Sequence, residues 1–337
     1  MLKVNKVFLV TGATGYLAAN FLNFIQTSQP NYFEAYDLIF LIDRHLKLSR
    51  LDDGILENNK IKKIAFDLSQ AEEFICLLRD SLLSDPQGDS LIFGEDIDDR
   101  LVLSLEVLHF ASLNNSEAEK LFIKGLHEFA LKSNSLIKFI YLSSSAVYGE
   151  NDSDPLIPSR EHDLLKPVSV YGVYKMQIEK FIQELLRKSG RLEPCFLVIR
   201  LANPYGGEFE CRGVYQNFKQ QLLDTAMDGN FTVKINAEAE RQIIRDFVSI
   251  RDFCFILVDL IKANACGIYN VASEKITYLE DFAESVKNDL LNNSLLDLSL
   301  SQKKIHIEYQ GFKSADIKVS HLSGRKLRDC LQARISA

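Results

Sequence analysis

A basic excess is missing from this chain of 337 residues: 39 lysines and arginines face 46 aspartates and glutamates, for a formal net charge of −7. A general nucleic-acid binder needs a basic surface to displace counterions from phosphates, so that class is excluded. Local cations and helix N-termini still leave room for small anionic ligands. Cysteine is sparse and scattered: the six thiols, at 76, 195, 211, 254, 266 and 330, form no CxxC pair and have no histidine-rich partner spacing. That pattern argues against a zinc cluster or a disulfide framework, so no metal is expected, and it points to reduced thiols and a cytoplasmic setting. No apolar run approaches the roughly 18 to 20 residues of a membrane-spanning helix, and no membrane partner is expected. The N-terminus runs from Met1 to Lys6 straight into Val7-Phe8-Leu9-Val10, too short and too poor in small residues for a signal peptide. Proline is scarce at 7 residues, and neither an internal repeat nor a low-complexity segment is present.

What is present is a composition ordinary for a globular protein, 47% hydrophobic and 25% charged, in a chain long enough for one large domain and a smaller one. The first half alternates short β-rich apolar runs with longer helical patterns, the signature of a parallel sheet wound with helices. Strands are expected at 7–10, 38–42, 63–66, 107–110, 139–142 and 195–199; burial on both faces explains why these runs are continuous rather than alternating. Between 171 and 189, Ile178, Phe181, Ile182, Leu185 and Leu186 recur with helical spacing, and a second amphipathic helix is expected over 121–131. The stretch 77–100, rich in Asp, Ser and Gly, is expected to be a surface insertion. After Pro204 the rhythm shifts to loops, short strands and helices, as in a smaller lobe.

Thr11-Gly12-Ala13-Thr14-Gly15-Tyr16-Leu17-Ala18 follows the first strand and opens a helix. Glycine at 12 permits a sharp turn, glycine at 15 lets backbone amides approach a pyrophosphate, and the helix dipole favours the anion. Ala18 stands at the third glycine position, where close helix–strand packing demands a small residue. The second strand ends in Ile42-Asp43, and an acidic side chain there can accept from the adenosine ribose hydroxyls, which favours NAD. Arg44 beside it could hold the extra phosphate of NADP, so NADP stays open.

Tyr171 and Lys175 stand four apart at the start of the amphipathic helix, on one face. A tyrosine with a pKa of about 10 is a poor base at neutral pH, and a nearby ammonium favours its phenolate. The lysine can also hold a nicotinamide ribose. Upstream, Phe139-Ile140-Tyr141-Leu142 runs into Ser143-Ser144-Ser145-Ala146-Val147-Tyr148-Gly149. Ligands bind at the C-terminal edge of a parallel sheet, and a serine hydroxyl there could bond the substrate oxygen that exchanges a proton. A serine-rich turn with purely local hydrogen bonds is the alternative.

Together these segments resemble the extended short-chain dehydrogenase/reductases, the family of nucleotide-sugar epimerases, 4,6-dehydratases and 4-ketoreductases. The likeness takes in the glycine turn, Asp43, Phe66-Asp67-Leu68, His109-Phe110-Ala111-Ser112, residues 142–149, and Tyr171 with Lys175. It continues through Ile199-Arg200-Leu201-Ala202-Asn203-Pro204-Tyr205-Gly206, Arg245-Asp246-Phe247-Val248 and Gly267-Ile268-Tyr269-Asn270-Val271. It implies an α/β, doubly wound Rossmann domain over 1–204 plus about 248–266, and a C-terminal α/β lobe over 205–247 and 267–337 that holds the nucleotide sugar. By the same likeness Ser144 is the substrate hydroxyl ligand, Tyr171 the acid/base and Lys175 its activator. Gly12, Thr14, Gly15, Tyr16 and Leu17 would hold the cofactor with Asp43, Arg44, Asp67, Leu68, Phe110, Ala111 and Ser112. Ser145, Asn203, Arg245 and Lys313 would meet the sugar nucleotide, although Arg245 could instead pair with Asp246 at the surface. A homodimer is implied as well, with the apolar surface of the helix over 175–186 as a candidate for pairing with a symmetric copy.

The chain departs from the family pattern in places. The 4,6-dehydratases carry an acidic pair after the catalytic Ser/Thr, where Ser145 and Ala146 stand here, so water elimination lacks its proton shuttle. The 3,5-epimerase/reductases commonly have a cysteine at the place of Ala146, and Cys211 is a weak substitute. The segment 112–121 is short, the asparagine usual two or three residues before Gly125 is absent, and Lys313 replaces an arginine. His109 is expected to be structural, while His162, Glu208 and Glu210 lie in loops that could border the sugar. The expected activity is epimerisation by reversible hydride transfer at a sugar carbon, C4 first among them. A 4-ketoreductase of a nucleotide-linked deoxysugar is the alternative, and a non-catalytic dinucleotide sensor the alternative of another class.

Overall fold

Seven strands form one parallel sheet, its central members apolar runs buried on both faces. In the computed structural model, which describes residues 4–29, 31–83, 102–133, 135–150, 157–189, 195–209, 213–226, 230–313 and 316–335, they are β1 (Val4–Thr11), β2 (Leu38–Asp43), β3 (Ile61–Ala65), β4 (Val102–His109), β5 (Leu136–Ser144), β6 (Cys195–Leu201) and β7 (Gly267–Val271). Their spatial order is β7-β6-β5-β4-β1-β2-β3. Val7 of β1 sits opposite Leu38 of β2 on one side and Leu105 of β4 on the other, both pairings parallel. The order reverses beside β1, and the carboxyl ends of strands at such a switch point are where open α/β sheets bind ligands.

The helices used below are α1 (Tyr16–Ser28), α2 (Ala71–Leu83), α3 (Ser116–Lys132), α4 (Val170–Ser189), α5 (Val214–Ala226), α6 (Ile250–Lys262), α7 (Leu279–Asn292) and α8 (Arg325–Ile335). In α1 the residues Ala18, Phe21, Leu22 and Ile25 share one face and are fully buried, which is the 3.6-residue period of a helix lying on a sheet. Asn115 starts α3, its side chain accepting from the N–H groups of Glu117 and Ala118 at 3.0 and 3.2 Å.

Several expected boundaries move. Helix α3 begins at Ser116 rather than at 121 because Asn115 caps it, and β4 begins at Val102 rather than at 107. Residues 77–83 belong to α2, not to an insertion, since Phe74, Leu78 and Leu82 are buried along one helical face. Residues 84–101, the rest of that expected insertion, lie outside the described residues. The edge strand β7 was assigned by sequence to the small lobe, and it joins the main sheet. Along α4, Ile178 and Ile182 are buried while Gln177, Lys180, Gln183 and Glu184 face outward, so its exposed side over residues 177–184 is polar; Val170 and Tyr171 are exposed at its start. Cys266 is in a disulfide while Cys76, Cys254 and Cys330 are free, so the thiols give no support to a cytoplasmic setting. No helix among the described residues is long and apolar enough to cross a membrane.

By its contacts the chain divides into two units: Met1–Leu142 with Met176–Ile199 and Asn264–Ile268, and Ser143–Lys175 with Arg200–Ala263 and Tyr269–Ala337. Relative to the boundaries expected from sequence, Ser143–Lys175 and α6 fall in the second unit. Two sets of contacts explain the first shift. The turn over residues 144–149 packs against Lys166 and Gly172, as described below, and a buried polar cluster ties it to the rest of that unit. Arg200, 2% exposed, donates to the Tyr148 hydroxyl at 2.8 Å, and that hydroxyl donates to Asn270 Oδ1 at 2.7 Å. The Asn270 amide donates onward to the carbonyls of Ser159 and Ser323 at 2.9 and 3.2 Å. Burial pushes the Tyr148 phenol up to about 12, which keeps it a donor at neutral pH. The apolar core of this unit gathers Phe218, Phe231, Phe247, Phe282 and Leu290, with the Phe247 and Phe282 rings stacked.

Tyr148→Phe keeps the ring that lies 4.9 Å from the Arg200 guanidinium and removes only the hydroxyl. The buried groups left without it should cost about 1–3 kcal/mol, read as a lower urea midpoint at unchanged m-value.

Candidate active site

Ser144 ends β5 in an extended conformation (φ −148°, ψ 152°), and its Oγ accepts the Ala146 N–H at 3.2 Å, capping the single 3₁₀ turn Ser145–Val147. Because Oγ accepts there, its own proton is left as a donor to a second group. Gly149 follows at φ +76°, and a Cβ on it would collide with the carbonyl oxygen of Lys166. Lys166 thus lies against the serine turn, and Ser169 then starts α4 by accepting the Gly172 N–H at 3.0 Å. The next contact sets the geometry of the site. A Cβ on Gly172 would collide with the carbonyl oxygen of Ala146 and come within 2.9 Å of Pro167 Cβ. Helix α4 therefore meets the serine turn backbone to backbone, one residue from Tyr171 and two from Ser144.

Tyr171 is half-exposed at 49%, whereas Lys175 is buried at 3% with its Nζ 5.8 Å from the Tyr171 ring centre and 5.6 Å from that of Tyr174. The ammonium is thereby held beside the phenol, an arrangement that supports a tyrosine acid/base. Ser145, expected to touch substrate, is buried in the turn.

The glycine turn is a second cluster. Gly12 has φ +65°, a conformation that favours glycine, and a Cβ on it would lie 2.8 Å from the Ala111 backbone nitrogen. The Gly15 N–H donates to the Gly12 carbonyl at 2.9 Å, and Gly15 caps α1, with Tyr16 and Leu17 as its first residues. Asp43 does more than sequence suggested. Its Oδ2 accepts both the N–H and the hydroxyl of Thr14, at 3.0 and 2.9 Å, and its Oδ1 accepts the His45 N–H at 3.2 Å. The carboxylate expected at the ribose is thus also a brace of the turn. Arg44 lies 4.0 Å from Asp67, whose carboxyl is held below the usual range first by the Ser69 N–H and hydroxyl. Leu68 is buried, Phe110 and Ala111 are half-buried, and Ser112 is exposed.

A third feature is a cavity of about 660 Å³ lined in part by Asn217, Lys234, Arg245, Gln310, Lys313 and Asp316. Two of the expected substrate residues, Arg245 and Lys313, line it; Asn217, Lys234 and Gln310 carry no sequence signal that would have singled them out. The surface pair expected as the alternative for Arg245 does not form. Asp246 is fully buried and accepts from the Ser273 N–H, the Ser273 hydroxyl and the Glu274 N–H at 2.8, 2.7 and 3.1 Å. Arg245 instead donates to the carbonyls of Ile244, Ile317 and Lys318 at 2.8, 2.6 and 3.1 Å. Its burial pulls the guanidinium down to about 10, so it stays cationic at neutral pH. Asn203 departs from expectation: its amide donates to the Asp246 carbonyl at 2.9 Å, and it is not among the cavity's lining residues. His162 and Glu208 are exposed, while Glu210 and Cys211 lie outside the described residues.

Gly172→Ala must push α4 away from the serine turn. That displacement, next to Tyr171, should lower kcat at least about tenfold, with a lowered melting temperature because the clash is with backbone, measured by steady-state kinetics and thermal scanning.

The model of the NAD dependent epimerase/dehydratase family matches residues 8–272, well over half of the chain. Among solved structures, the chain is similar to the dTDP-glucose 4,6-dehydratase of Bacillus anthracis in complex with NAD, at 16% identity, covering 97% of this chain and 90% of that one with a TM-score of 0.70. It is similar also to the UDP-glucose 4-epimerase of Thermus thermophilus with NAD, at 16% identity, 96% and 92% coverage and a TM-score of 0.69. The UDP-glucuronic acid 4-epimerase of Bacillus cereus, in complex with UDP-glucuronic acid and NAD, gives 18% identity, 97% and 93% coverage and a TM-score of 0.69. At these identities the structural likeness bears on the fold, the seven-stranded Rossmann sheet; the family is carried by the match over residues 8–272, with the glycine turn, the serine turn and the Tyr171/Lys175 helix inside it. The chain belongs to the NAD-dependent epimerase/dehydratase family of enzymes.

Proposed function

We propose that the chain is an NAD-dependent nucleotide-sugar epimerase that inverts a sugar carbon, C4 first among the candidates, with Tyr171 as acid/base. The observation that supports this reading is the backbone contact of Gly172 with Ala146, which sets the start of the helix bearing Tyr171 and Lys175 against the turn that Ser144 caps. Tyr171 removes the proton of a sugar hydroxyl and later returns one. Ser144 donates to the same oxygen and fixes its position, and Lys175 stabilises the phenolate. The glycine turn fits a dinucleotide: Gly12 leaves no room for a side chain against Ala111, and the N-terminus of α1 offers backbone donors to a pyrophosphate. NAD, when bound, takes up and gives back the hydride. Arg44 faces Asp67, and Asp43 ends β2, which together support NAD over NADP.

The nucleotide is assigned to the cavity of Arg245 and Lys313, two cations suited to phosphates. Elimination of water is disfavoured because Ser145 and Ala146 supply no acidic pair.

Tyr171→Phe should lower kcat by about 10²- to 10⁴-fold while leaving NAD bound. A panel of nucleotide sugars, followed by mass spectrometry and by absorbance of the reduced cofactor, tests the reaction. Interconversion of sugars without net change in cofactor is expected. Stoichiometric consumption of added reduced cofactor would instead establish the 4-ketoreductase, and bound cofactor without any turnover the sensor.

Homodimerisation belongs to the same reading. The exposed Leu121 and Leu131 of α3 offer apolar surface that the polar outward side of α4 does not. Light scattering at micromolar concentration should give twice the chain mass.

A further inference from the structure

Beneath the glycine turn lies a buried polar chain that the proposed chemistry does not use. Thr11, His109 and Glu119 are each fully buried. Thr11 Oγ1 lies 2.7 Å from His109 Nδ1, and His109 Nε2 lies 3.6 Å from Glu119 Oε1. The imidazole is set among aromatic rings, 5.1 Å from Phe122, 5.6 Å from Phe139 and 6.0 Å from Tyr141 between centres. Apolar side chains of the same volume would cost less to bury than this trio. What apolar side chains cannot do is hold main-chain donors, and the outer atoms of the trio hold two. The Ala111 N–H donates to Thr11 Oγ1 at 3.4 Å, and the Leu113 N–H donates to Glu119 Oε2 at 3.1 Å. The loop after β4 is therefore fastened at both ends, and its Ala111 is the residue packed against Gly12.

We propose that Thr11, His109 and Glu119 are positioning residues for the cofactor, a buried relay that fixes the loop over residues 111–113 against the glycine turn; this rests on the reading that the turn binds NAD. The relay as proposed has Thr11 Oγ1 accept from Ala111 and donate to His109 Nδ1, one of the two directions that the 2.7 Å contact allows. The imidazole proton then sits on Nε2, 3.6 Å from the Glu119 carboxyl oxygen and beyond hydrogen-bond length. Glu119→Gln reverses this direction: the amide oxygen keeps the Leu113 N–H, the amide NH₂ turns to Nε2, and the ring proton moves to Nδ1.

The test compares Thr11→Val, which keeps the shape and loses the hydroxyl, with Thr11→Ser, which keeps the hydroxyl. NAD binding to the full chain is measured by titration calorimetry, and the ring nitrogens of His109 by ¹⁵N NMR. Thr11→Val should weaken NAD binding about tenfold and Thr11→Ser no more than about twofold, as for one lost interior hydrogen bond. The wild-type ring should carry its proton on Nε2. If Thr11→Val does not fold, Glu119→Gln replaces it, with both loop donors still held, NAD binding close to that of the wild type and a ring proton on Nδ1 expected. A Thr11→Val protein that melts earlier but binds NAD like the wild type reduces the trio to packing and overturns the proposal, as does a wild-type ring protonated on Nδ1. Failure of the wild-type chain itself to bind NAD would overturn the cofactor reading as well, and so is told apart from failure of the relay alone.

Discussion

A main-chain oxygen, that of Ala146, occupies the space that a side chain at residue 172 would need. The approach of α4 to the serine turn depends on that contact. The serine turn is rigid because Ser144 caps it and Gly149 lets Lys166 approach; the helix is anchored because Ser169 starts it where the two backbones meet. Side chains long enough to wander are thereby fixed by their main chains. Burial and the rings of Tyr171 and Tyr174 hold Lys175 beside the phenol.

Motifs that look like binding signatures turn out to be, in part, fasteners. Arg200 and Asn203 come from one segment, Arg245 and Asp246 from another, and Asn270 from a third. The side chains of Arg200, Asp246 and Asn270 are buried and bonded to other parts of the same unit, and Asn203 bonds to the backbone of Asp246. Burying a carboxylate such as that of Asp246 is tolerable only because three donors surround it, although burial still raises its pKa. Of these five residues only Arg245 both fastens a strand and lines a cavity.

The sheet was legible in the sequence because a doubly buried strand needs an apolar run, such as residues 7–10, 38–42, 139–142 and 196–199. The strand Gly267–Val271 was not, since it holds a glycine and an asparagine and Asn270 is buried through hydrogen bonds rather than through apolar contact. The glycine turn and the Tyr171–Lys175 spacing were legible for local reasons: a left-handed backbone calls for glycine, and residues four apart share a helix face. The partners of Asp43, Asn203 and Arg245 were not. Each binds main-chain atoms far away in sequence or set by a turn, and a backbone N–H or carbonyl leaves no mark in the residue alphabet. The Cys266 disulfide escaped for the same reason, as scattered cysteines show no pairing until the chain is folded.

The brace that Asp43 supplies to Thr14 has an effect on how tightly the adenosine half of a cofactor could be clasped. A carboxylate offers about four lone-pair sites, and the Thr14 N–H, the Thr14 hydroxyl and the His45 N–H already fill three. A ribose arriving there finds a single vacancy, so a two-pronged grip through both hydroxyls would require Thr14 to let go. The two contacts are then mechanically linked: a stronger hold on a ribose there would slacken the glycine turn.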